Sequence, residues 1–198
     1  MKAESRRLFE NSFMELMSKV HWTVPLYIYI PVILYFLYKS FFVDNIVVRE
    51  TFLLYLGGIL FWTLLEYLLH RFAFHYEAKT EFGKRLVFIF HGIHHEYPLD
   101  RLRLVMPPSV SLPLGILFYS FFYFTVGVDF ASPMFAGTVT GYLVYDMTHF
   151  AIHHFAIENK FLMKIKTNHM KHHYKDSGKG FGVSSPFWDH VFQTDSKS

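Results

Sequence analysis

The sequence predicts an all-α integral membrane protein with four transmembrane helices and a helical cap, on one membrane face, holding a histidine-rich dimetal site. Three observations predict it. Of 198 residues, 52% are hydrophobic and 20% aromatic, and only 18% are charged, against about 25% in an average soluble domain. The apolar residues gather in four long runs. Histidine occurs 13 times and cysteine not at all. The length fits one domain, so residues 1–198 are read as a single membrane unit.

Residues 1–22 are polar and mixed in charge, with Lys2, Arg6, Arg7 and Lys19, and show no cleavable signal peptide. Apolar runs follow at about 23–43, 51–74, 107–128 and 133–156. Each reaches the roughly 20 helical residues that a ~30 Å hydrocarbon core requires. An open strand leaves its backbone unsatisfied in lipid, so each run is read as a helix. Lys39, near one end of the first run, is placed to snorkel. Pro107, Pro108 and Pro113 leave a kinked or re-entrant start open for the third.

Lys and Arg orient the chain. Four lie in the N-terminal segment, six between the second and third runs, and seven after residue 157, so 17 of 19 fall on one side. The positive-inside rule then places both termini and segment 75–106 in the cytoplasm. The protein is therefore read as multi-pass, in the endoplasmic reticulum of a eukaryote or the inner (plasma) membrane of a bacterium. Segments 75–106 and 157–198 are each too short to bury a core alone and form the cap together. The basic residues read as a headgroup-facing surface, not a nucleic-acid patch.

The absence of cysteine excludes disulfides, Fe–S clusters, thiolate zinc sites and cysteine nucleophiles. Eleven histidines fall in four clusters: His70 and His75; His91, His94 and His95; His149, His153 and His154; His169, His172 and His173. Spacings of three and four put imidazoles on one helical face. The topology brings all four clusters to the cytoplasmic side, where they can surround two metal ions. His154 lies about 100° around the helix from His153 and is read as a metal or supporting residue. Asp146 and Glu66 each stand one turn before a histidine and are candidates to accept a ligand's far N–H. His21 and His190 are read as interfacial and packing residues. All-nitrogen sites with open positions suit Fe, Zn or Cu. Two metals beside an apolar membrane point to an acyl C–H bond as target, hence to O2 and iron. No HExxH or Ser-His-Asp arrangement supports a hydrolase. A metal transporter is the alternative from another class, but its sites tend to lie near the bilayer midplane; a haem cytochrome is a third.

The stretches EYLLHRFAFH (66–75), HGIHHEYPLDRLRLVMPP (91–108), GYLVYDMTHFAIHH (141–154) and NHMKHHYKDSGKGFGVSSPFWDHVF (168–192) resemble the fatty acid hydroxylase superfamily. The Pro98–Pro108 segment and the KGFGVSS…WD tail make the resemblance strongest to the sphingolipid fatty acyl 2-hydroxylases. It runs from about residue 50 nearly to the end, with weaker similarity before. The resemblance implies 2-hydroxylation of a ceramide-type acyl chain, with O2 as co-substrate. It implies two iron ions, which zinc can replace in purified protein. As ligands it implies His70, His75, His91, His94, His95, His149, His153, His169, His172 and His173, with His154 doubtful and Tyr145 and Asp146 bordering the substrate. Sterol, carotenoid or aminolipid oxidation is the sibling reading. The sequence departs from the family at His190 and Gln193. No His-Pro-Gly-Gly haem motif of an appended cytochrome b5 domain is found, so electrons are expected from a separate cytochrome b5-like protein, ferredoxin or reductase.

Overall fold

The computed structural model describes residues 5–196; Lys2 and the final Lys-Ser pair lie outside them. Among the described residues every regular element is helical. Helix α1 is Ser12–Met17, α2 Val24–Phe42 and α3 Val48–Leu68, the last continuing as a π-helical turn, Leu69–Phe74. Next come α4 (Glu81–Val87), a second π-turn (Phe88–Gly92) and α5 (Ile93–Glu96). Then follow α6 (Pro108–Thr125), α7 (Val128–His154), α8 (Lys160–Tyr174) and α9 (Phe187–Val191). Local chemistry sets several boundaries. Asn11 caps α1 and Asn159 caps α8, each side chain accepting two backbone N–H bonds. The third run, whose start was open to a kink or re-entrance, forms one continuous helix, α6, with Pro107 just before it, Pro108 in its first turn, where no N–H is required, and Pro113 inside it.

Among the described residues three helices are long and apolar enough to cross a membrane: Val24–Phe42, Val48–Phe74 and Pro108–Thr125. Their outer faces expose large apolar side chains such as Leu34, Leu53, Leu60, Leu117 and Phe124. The fourth apolar run lies in α7, which is built differently. It is the central helix, and its residues from Ala131 to Leu143 supply most of the core with Tyr29, Trp62 and Phe122. A helix surrounded by protein can carry small and polar residues, and α7 buries Ser132, Gly137, Thr138 and Gly141. Backbones approach closely here. A Cβ on Gly137 would collide with the Tyr55 carbonyl, and one on Gly58 with the Met134 carbonyl. Gly137→Leu should therefore abolish monodisperse protein on size-exclusion chromatography. Gly57→Ala, whose Cβ meets only the Met134 sulfur at 3.4 Å, should behave as wild type.

One end of the bundle is tied by Lys39. Its ammonium bonds both Asp44 oxygens (2.6 and 2.8 Å) rather than standing free, and Asp44 also accepts from Ser132 on α7 (2.8 Å). The other end carries the histidines. There the N-terminal segment is fastened to the loop before α6: Ser5 bonds Asp100 through its N–H (2.9 Å) and hydroxyl (2.5 Å), and buried Arg103 bonds Glu15 and Ser18.

Candidate metal centre

Ten histidines converge as two groups of five. One holds His70, His75, His91, His95 and His172, the other His94, His149, His153, His169 and His173; within each group the candidate ligand nitrogens lie within 4.8 Å of one another. The two groups are neighbours, with the rings of His95 and His173 stacked at 4.1 Å.

Helix geometry explains the sorting. Residues i and i+1 point about 100° apart, so each HH pair is divided: His94 and His95 enter different groups, as do His172 and His173. His70 and His75 pose the opposite problem. Five residues carry a side chain about 140° around an α-helix, which would turn these two rings apart. The chain winds as a π-turn here, with the His75 N–H bonded to the His70 carbonyl. That i→i+5 bond stacks residues five apart and brings the rings together, with Nε2 atoms 3.3 Å apart. The second π-turn carries His91.

The donor set fits metal ions. In the first group Nε2 of His70 stands 3.0 Å from that of His91, and Nε2 of His172 stands 3.0 Å from that of His75. In the second, Nε2 of His149 lies 2.9 Å from His94 and 3.0 Å from His169. Hydrogen bonding does not account for this convergence. His70 gives its proton at Nδ1 to the Phe181 carbonyl (2.6 Å) and His172 to the Lys179 carbonyl (2.7 Å), so each presents a bare lone pair at Nε2. About 3 Å is the separation of adjacent nitrogens that share an ion at about 2.1 Å.

The tail from Lys179 to Asp189 braces two of these rings. Four successive backbone N–H groups are held by two buried carboxyl groups. Asp189 accepts from Phe181 (2.9 Å) and Gly182 (2.8 Å). Glu66 accepts from Val183 (2.7 Å) and Ser184 (2.8 Å), and from the Ser184 hydroxyl (2.5 Å). This aims the Phe181 carbonyl at His70. Glu66 thus acts on His70 through the loop, not by the direct bond expected of it. Asp146 likewise accepts from Tyr142 (3.2 Å). His154 belongs to neither group; its ring packs on Phe150 at 4.5 Å. His190 pairs with Asp195 at the surface, and His21 bonds Thr23.

Burial and mutual repulsion keep these rings neutral. Burial, then the neighbouring His172, push His75 down to about 4. Burial, then His172 and His75, push His95 down to about 3. His91, His94 and His169 are held well below the usual value, chiefly by burial. An unfolded chain takes up protons below its ordinary histidine pKa of about 6.5, which folded His75 refuses until about 4 and His95 until about 3. The stability these two rings contribute is therefore complete above pH ~6.5 and is lost as pH falls through that window. Thermal unfolding of chelator-treated protein across that window should show a steep acid decline; a flat profile would contradict it.

Beside the histidines lies a cleft with about 740 Å³ of empty space, the open space at its mouth included. His91, His94 and His149 form part of its wall, Tyr145 and Asp146 border it, and Phe74, Ile89, Phe90, Val105 and Val110 make most of the remainder apolar.

The family model described as "Fatty acid hydroxylase" matches residues 55–194. Dihydroceramide fatty acyl 2-hydroxylase FAH1 of Arabidopsis thaliana is 35% identical over 96% of the chain and 80% of its own length. Ceramide very long chain fatty acid hydroxylase scs7 of Schizosaccharomyces pombe is 37% identical over 96% of the chain, and fatty acid 2-hydroxylase of Rattus norvegicus 37% over 95%. The chain spans about half the length of these last two, 55% and 56%. A solved structure of full-length scs7p, with only its hydroxylase domain visible, superposes with a TM-score of 0.89 at 37% identity, covering 96% of this chain and 71% of the other.

Proposed function

We propose, from the premise that this chain belongs to the fatty acid hydroxylase family, that it hydroxylates carbon 2 of the N-acyl chain of a ceramide or related sphingolipid. The observation that carries the reading is the meeting of ten neutral imidazoles, in two sets of five, at the wall of an apolar cleft. The two sets would each hold one ion. Bound there, a pair of iron ions supplies the O2-dependent oxidation of an unactivated C–H bond, with electrons from a separate redox protein.

The chain's own residues do the rest. The Phe181 and Lys179 carbonyls lock the tautomers of His70 and His172, a support that raises ligand basicity. Phe74, Phe90 and Val105 keep water from the reacting carbon. Tyr145 and Asp146 stand where the polar amide of the lipid meets its alkyl chain, and orient it. Positioning the one methylene next to the amide carbonyl, among the many of the acyl chain, is the protein's main task.

The same reading gives the topology. We take α7 as a fourth span, because it lies among the three apolar helices and its 27 residues exceed the hydrocarbon thickness. The start of α2 and α6 and the end of α3 and α7 all lie at the histidine end. Four alternating spans therefore leave both termini, α4, α5, α8 and α9 on one face. The one-sided distribution of Lys and Arg makes that face cytoplasmic.

The test uses iron-loaded full-length chain in a bilayer with a reducing partner and O2. Mass spectrometry should find one added oxygen at C2 of N-acyl ceramide. Unmodified ceramide, or oxidation of a sterol or carotenoid in its place, would overturn the reading.

A further inference from the structure

A second cavity lies within the helical bundle, beside the cleft at the histidines. It holds about 460 Å³ of empty space, its open side included, and its walls expose almost no polar atom. All four long helices line it, through Tyr29, Trp62, Gly115, Phe118, Phe135 and Val139 among others. The wall between the two spaces is thin. Met106 lines both, and Tyr142 on the inner side donates to Asp146, which faces the cleft. An unbranched thioether adapts readily to what passes it. Water finds few hydrogen-bond partners in such a space, whereas an alkyl chain loses only its exposure to water.

We propose that this inner cavity takes the distal part of the substrate's acyl chain, and that Gly115 and Phe118 on α6 set how long a chain fits. The proposal rests on the acyl-lipid reading above and adds a direction to it. The tail passes Met106 into the bundle, carbon 2 stays at the histidines, and the sphingoid portion remains at the cleft's mouth. Gly115 is suited to limit length. A Cβ there would meet only Phe135 Cζ, at 3.7 Å, so a larger side chain grows into the cavity without striking backbone. Phe118, edge-on to Phe61 at 6.2 Å, fills space that a smaller residue would open.

The test gives full-length protein in lipid nanodiscs ceramides whose N-acyl chain ends in a photoreactive diazirine. Adducts are expected at the residues that line the cavity on α6 and α7, Leu114, Gly115, Phe118, Phe135, Thr138 and Val139. Gly115→Leu should cut long-chain adducts about tenfold, a discrimination typical of an apolar pocket, and spare a probe too short to pass Met106. Phe118→Ala should raise the adducts of the longest probes. Wild-type adducts confined to the outward-facing Leu117 and Phe124, or a pattern unmoved by both substitutions, would overturn the proposal. Hydroxylation of the same lipids is scored in parallel. Inner adducts without hydroxylation would unseat the reaction and leave the pocket; hydroxylation with outer adducts only would do the reverse.

Discussion

His169→Ala should abolish lipid hydroxylation and remove one of the two metal ions. His169 is fully buried, and its Nε2 stands within 3.0 Å of the Nε2 atoms of His149, His153 and His173. Replacing it leaves a gap in one set of five and no nearby group to fill it. Loss of even an outer partner costs roughly 10–100-fold at such sites, so the fall in turnover should exceed about 100-fold. Elemental analysis of purified protein should then show one ion per chain against an expected two in wild type. His154→Ala, one residue beyond His153 and outside both groups, should keep both ions. Equal loss in the two variants would remove the basis for excluding His154.

Glu66→Ala is the second large effect, and it acts on stability. The carboxyl group accepts three bonds from Val183 and Ser184 in a fully enclosed setting. Deleting it strands three donors, each at about 1–3 kcal/mol; a loss of roughly 3–5 kcal/mol is expected after partial relaxation. The Phe181 carbonyl would then lose its aim at His70. The variant should show a markedly lower apparent Tm in detergent together with weakened metal retention. Glu66→Gln keeps an acceptor oxygen and should recover part of both. A normal Tm for Glu66→Ala would show that the loop is held by Asp189 alone.

These effects mark how far the sequence can be read. The apolar runs give α2, α3 with its π-turn, and α6 to within three residues at each end, because lipid selects composition along the whole length of a span. The same logic reads α7 less well, since a helix sheathed by other helices is chosen for close fit, as at Gly137 and Gly141. The ten candidate histidines stand out because most sit three or four residues from a partner. The pair His70 and His75 fits no α-helical face, and only the π-turn reconciles it. What holds the rings was hidden for a different reason. Phe181 and Lys179 contribute carbonyl oxygens, which every residue has, so side-chain identity says nothing about them. Glu66 and Asp146 were visible as ionisable groups within apolar helices, but their partners lie far along the chain or on another turn.

The brace on His70 and His172 also imposes an order of assembly. Every histidine of the two groups precedes residue 174, while Phe181, Ser184 and Asp189 are translated after all of them. The two rings are aligned only once the Phe181–Asp189 stretch docks on Glu66 of α3. A chain cut before Lys179 would thus keep every histidine of the two groups and still leave His70 and His172 without the carbonyls that orient them.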